Sequence, residues 1–167
     1  MHATTKTGRL VHDDHDRTTE LLNRLEAHLK QAETRGIPPI ADPEVRTLVG
    51  DLNGLLEHEL GPHFDFEEQQ LFPLVAEAGG HEMVQHLWDE HVAMRPVGRR
   101  LQRYCALALA EGFDEESYGA FVHFGWDLLE KLEHHLQVEE TSFLMAVEAL
   151  MLANPDIDER IAGTYRS

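Results

Sequence analysis

Apolar residues recur every three or four positions along four stretches of this chain, the spacing that gathers them on one face of a helix. From 9 to 34 the stripe runs Val11, His15, Thr18, Leu22, Leu25 and Leu29. From 43 to 72 it runs Val45, Leu48, Leu52, Leu55, Glu59, His63, Glu67 and Gln70. The third stretch, 81 to 111, carries Val84, Leu87, His91, Met94, Leu101 and Cys105. The fourth, 115 to 153, carries Tyr118, Phe121, Leu128, Leu132, His135, Glu139 and Ser142. No β-branched run alternates with polar residues, so no strand is expected.

Breakers divide these stretches. Pro38 and Pro39, after Gly36, cannot continue a helix. Asp42-Pro43-Glu44 reads as an N-cap, a proline at the first helical position and an acidic first turn. Pro73 and the Gly79-Gly80 pair close the second stretch, Gly112 closes the third, Asp114 caps the fourth and Asn154-Pro155 ends it. Four long helices with short connections predict an all-α fold, an antiparallel up-down-up-down four-helix bundle. Residues 9–153 make that domain. Residues 154–167 make a C-terminal tail, too short for more than an appended turn or helix.

Polar residues repeat within the apolar stripes. His63-Phe-Asp-Phe-Glu67 and His135-Leu-Gln-Val-Glu139 each set a histidine and a carboxylate one helical turn apart on one face. Asp14-His15 and Glu90-His91 stand upstream of them, so the chain reads as two helical hairpins of one design. Antiparallel packing brings His15, His63, Glu67, His91, His135 and Glu139 together near one end of the bundle. Four imidazoles and two carboxylates in a core without a cation would carry a heavy desolvation cost. A pair of metal ions, each held by two histidines and bridged by the glutamates, offsets it and leaves a position for water or a small ligand.

Charge narrows the partners. The chain has 167 residues, enough for one domain with a sizeable core. Its formal charge is −17, with 31 Asp and Glu against 14 Lys and Arg, so it lacks the basic stripe that nucleic acid or an anionic membrane surface needs. The single cysteine, Cys105, excludes an intramolecular disulfide. The first ten residues hold no apolar leader core and no stretch approaches a membrane span, so a cytoplasmic location is expected.

Taken together, Asp14-His15, His63-Phe-Asp-Phe-Glu67-Glu68 with Leu71-Phe72-Pro73 after it, Glu90-His91 and His135-Leu-Gln-Val-Glu139-Glu140 resemble the hemerythrin-like family, the HHE cation-binding domain. The resemblance covers roughly residues 9 to 150. It implies a non-haem di-iron centre, two Fe ions with ligands at the six positions named, and roles in oxygen binding, oxygen or iron sensing, or peroxide chemistry. Two departures from the oxygen-carrying hemerythrins stand out. Leu87 occupies the place of their second helix-three histidine, four before His91, and Glu139 follows His135 by four where they have an aspartate after five. The likeness is therefore to the bacterial-type branch, and reversible oxygen storage is not implied. Histidine and glutamate suit manganese as well as iron.

The expected partner is O2, peroxide or another small diatomic ligand, because Leu22, Leu60, Met94 and Leu132 make the surroundings small and apolar. Two functions are open: a protein that binds or senses O2 or iron, or a di-iron redox enzyme with catalase-like or O2-activating chemistry. His12, one turn before His15, and His86, about 140° off the stripe of His91 on a regular helix, compete for a further ligand role. Glu59 is a candidate partner for an imidazole N–H or, equally, a peripheral residue paired with an arginine. Glu68, Glu90 and Glu140 read as solvated surface, as do His58, His81, His123 and His134. Pro62 and Pro96 are expected to kink their helices.

Overall fold

A computed structural model describes residues 3–165, and all regular structure among them is helical. Helix α1 (Lys6–Arg35) starts earlier than its apolar stripe, because the Thr5 side chain accepts from the Gly8 N–H and caps it. It stops at Gly36, whose φ of 70° is a conformation that a side chain disfavours. Helix α2 (Pro43–His58) begins as expected, with the Asp42 carboxylate accepting from the Glu44 N–H at 2.9 Å.

The second rod runs past the proline expected to end it. From α2 it passes through π1 (Glu59–His63), α3 (Phe64–Phe66), π2 (Glu67–Leu71) and α4 (Phe72–Glu77). Pro73 falls in the first turn of α4, directly after the wider π2 turn, the part of a helix that tolerates proline. Helix α5 (His81–Glu111) stays α-helical through Pro96. The carbonyl which that proline deprives belongs to Val92, a residue 59% exposed and so within reach of water. Pro62 lies inside π1. The fourth rod is α6 (Glu115–Val138), π3 (Glu139–Phe143) and α7 (Leu144–Ala153), opened by an Asp114–Ser117 capping box.

The tail forms α8 (Pro155–Ala162) and joins the core through Ile161. Its Asp158 accepts from the backbone N–H groups of Lys6 and Thr7 at 2.9 and 2.8 Å. Glu148, on α7, accepts from those of Thr4 and Thr5 at 2.9 and 3.0 Å. Four donors at the start of α1, which no helical carbonyl can reach, are thus satisfied by two carboxylates.

Apolar residues gather in two clusters. One is built on Leu22, Leu52, Leu101, Phe121 and Leu128, the other on Val11, Leu71, Leu87, Phe143 and Val147. Every rod contributes to both, and each fully buried Leu or Phe contributes about 1.5–3 kcal/mol. The polar stripe residues lie between the clusters rather than at an open end, because α4 and α7 carry Val75, Leu144, Val147 and Met151 beyond them. Among the described residues no helix is long and apolar enough to cross a membrane.

Candidate metal centre

All six residues singled out in the sequence meet in this middle layer, each no more than 2% exposed. Their donor atoms form two groups, His15, His63, Glu67 and Glu139, and Glu67, His91, His135 and Glu139, with the atoms of each group within 4.8 Å of one another. Both glutamates belong to both groups. Glu67 Oε1 lies 3.5 Å from His63 Nε2 and Oε2 lies 3.4 Å from His91 Nε2. Glu139 Oε2 lies 3.2 Å from His15 Nε2 and Oε1 lies 3.2 Å from His135 Nε2.

The local backbone carries the same signature twice. Glu67 opens π2 and Glu139 opens π3, and each accepts at its carbonyl from an N–H five residues on, Phe72 and Leu144. The extra residue turns the rest of the rod by about 100°. Leu71 and Phe143 therefore enter the core at the places expected for Gln70 and Ser142, and Ser142 is exposed. That apolar phase slip is visible in the sequence as Leu71-Phe72 and Phe143-Leu144 following the glutamates.

Each histidine turns Nε2 inward and Nδ1 toward an outer carboxylate. His15 Nδ1 is 2.7 Å from Glu140, His91 Nδ1 is 2.8 Å from Glu68, His135 Nδ1 is 2.7 Å from Glu90, and His63 Nδ1 is 3.4 Å from Asp14. Glu68, Glu90 and Glu140 are thus not a solvated face. A residue next to an inward one points sideways along the helix–helix groove, where it meets the histidine of the neighbouring rod. His58 is also drawn in, donating to Asp14 Oδ2 at 2.9 Å.

The rivals for a further ligand role fall outside. His12 turns to Glu140 at 3.0 Å, and exposed His86 lies 3.1 Å from Glu90. Glu59 sits on the inner side: Thr18 donates to its Oε1 at 2.7 Å, and Oε2 stands 3.9 Å from His63 Nε2. The outward nitrogen of His63 faces Asp14 instead, at 3.4 Å and without a well-directed hydrogen bond.

Electrostatics show what the site could hold. Burial opposes charge on His63 and His135, yet Glu59, Glu67 and Asp14 raise the first to about 9, and Glu139, Glu90 and Glu67 raise the second to about 10. His15 is likewise raised well above its ordinary value against its own burial, by Glu139, Glu140 and Glu67. Glu139 is held well below the usual carboxylate range, again against burial, by His135 and His15. Even so, both oxygens of Glu67 and of Glu139, and His15 Nε2, make no well-directed hydrogen bond. Such orphans are costly in a dry interior. Imidazole nitrogens and carboxylate oxygens converging in this way fit a pair of cations, which would take the place of protons as countercharge.

A search of curated proteins returns no match to this chain. Its sequence does match the hemerythrin HHE cation-binding domain over residues 8–147, a span that includes all six inward donors and the four outer carboxylates. The chain belongs to the hemerythrin HHE cation-binding domain family.

Proposed function

We propose that this protein binds two iron ions through His15, His63, Glu67, His91, His135 and Glu139, and uses them to bind or sense O2 or iron itself. The observation that carries the reading is that the two donor groups share both glutamates. Glu67 and Glu139 would serve both ions, with His15 and His63 holding one and His91 and His135 the other. Manganese fits the same donors. When bound, the ion pair supplies electrons and open coordination to a small ligand.

The chain's own residues prepare the site. Glu140, Glu68 and Glu90 accept from Nδ1 of His15, His91 and His135, and Asp14 faces Nδ1 of His63 at 3.4 Å, so that all four Nε2 atoms point inward. Phe64 stacks on His91 at 3.7 Å between ring centroids, Phe72 lies 5.4 Å from the same ring, and Phe143 is fully buried beside Phe72. These rings help keep bulk water from the donors, and the ligand of this reading is a diatomic or peroxide rather than a large substrate.

An antiparallel up-down-up-down bundle belongs to the reading. Contacts between adjacent rods run in opposite sequence order: Thr18–Glu59 and Arg24–Asp51, Glu68–His91 and Leu60–Arg95, Glu90–His135 and Tyr104–Phe124, His15–Glu140 and His28–Tyr118. Residues 9–153 are its domain and α8 an appended helix. A cytoplasmic setting accords with the buried free thiol of Cys105.

The test is the optical spectrum of iron-loaded protein, reduced without air, pulsed with oxygen and then degassed. A charge-transfer band that appears and reverses is the expected result. Irreversible oxidation with oxygen consumed would replace binding with redox enzymology on O2 or peroxide. Protein that retains no iron would overturn both.

A further inference from the structure

A third donor group lies outside the buried centre. His86 and Glu90 stand one turn apart on α5, and His134 faces them from α6. Glu90 Oε1 lies 3.1 Å from His86 Nε2 and 3.5 Å from His134 Nε2. One donor atom from each residue lies within 4.8 Å of the other two. The two imidazoles approach edge to face with ring centroids 6.3 Å apart. Their side chains are 54% and 61% exposed, so this group opens to solvent while the six inward donors do not.

Two features make the group more than a chance surface encounter. Glu90 is 17% exposed and fixed, since its other oxygen accepts from His135 Nδ1 at 2.7 Å. A donor already immobilised loses little freedom on taking a ligand. His134 also borders a surface groove lined by Glu26, Asp127, Glu130 and Glu133; Lys30 pairs with Glu26 and Lys131 with Asp127, while no ion pair engages Glu130 or Glu133 among the described residues. On a chain of net charge −17, such a groove concentrates cations beside the histidine.

We propose that His86, Glu90 and His134 form an outer site for a divalent transition-metal ion, separate from the buried centre but sharing Glu90 with it. Two imidazoles and one carboxylate favour ions such as Co2+ or Zn2+ over Mg2+ and Ca2+, which prefer all-oxygen shells. Water completes the coordination on the open side. An ion on Oε1 draws charge from the carboxylate that orients His135, so its arrival is felt one residue from the interior. The outer site stands whether or not the buried six take iron.

Equilibrium dialysis against Co2+ compares iron-loaded protein with the His86→Ala/His134→Ala variant. Both residues are exposed, so the variant keeps its helical circular dichroism and its iron content. Wild type should take up one more Co2+ per chain than the variant, with a visible d–d band that the variant lacks and that excess Mg2+ does not remove. Equal uptake by the two proteins, or none by wild type, overturns the proposal. So does loss of iron from the variant, which would make these histidines part of the buried centre. Failure of both proteins to hold iron strikes the buried-centre reading alone, because the difference between them isolates the outer site whatever fills the interior.

Discussion

Asp14, Glu68, Glu90 and Glu140 each adjoin one of the six inward residues in sequence, yet each serves a histidine on a different rod. Spacing of four residues made the inward set legible, because a helix stacks such positions on one face whatever surrounds it. The outer carboxylates were not legible in the same way. A residue one step from an inward one turns by about 100°, and only the neighbouring rod decides whether that direction is water or a groove. Such partners commonly set metal affinity by ten- to a hundredfold. Glu68→Ala, which frees His91 Nδ1, should therefore weaken metal binding by roughly ten- to a hundredfold in competition with a chelator. An unchanged affinity would remove Glu68 from any part in orienting the ring.

The helix boundaries set by Asp42, Gly36, Gly112 and Asp114 arise from local chemistry, and the structure keeps them. The π segments do not, because a helical stripe read at constant pitch puts Gln70 and Ser142 inside. What selects π2 and π3 is tertiary: the glutamate must face the site while Leu71-Phe72 and Phe143-Leu144 face the second apolar cluster. One residue too many for an α turn allows both. Inserting one alanine after Ser142, with no second bulge to absorb it, should turn Phe143, Leu144, Val147 and Met151 by about 100° off that cluster. Truncating even one such residue costs about 2–5 kcal/mol, against a total stability of about 5–15 kcal/mol. The insertion variant should lose cooperative urea unfolding, whereas Ser142→Ala, at an exposed position, should unfold near the wild-type midpoint. An insertion variant that unfolds at that midpoint would mean the phase set by the bulge carries no packing role.

At the scale of the whole molecule, a polar layer between two apolar clusters ties folding to its countercharge. Metal held at about a hundredfold over its dissociation constant adds about 2.7 kcal/mol, roughly 5–11 °C in Tm for a chain of this size. Chelation should lower the melting temperature by that order, read by calorimetry, and an unchanged Tm would detach the site from the fold. In the metal-free protein, protons take over. His63 and His135 are raised to about 9 and about 10 from an ordinary value near 6.5. Their contribution is therefore complete below about pH 6.5 and is lost as pH climbs through 9 and 10. With chelator present, the urea midpoint should fall between neutral pH and pH 10, and a flat profile would refute the proton-for-metal exchange. The outer carboxylates add a consequence of another kind. Rod one holds a histidine of rod two, rod two one of rod three, rod three one of rod four, and rod four one of rod one, a closed circuit. Sliding any rod by a turn opens two links, the one it gives and the one it receives. The circuit thus works as a checksum on assembly: a mis-threaded chain can keep its helices, but it cannot aim four imidazoles at a common point.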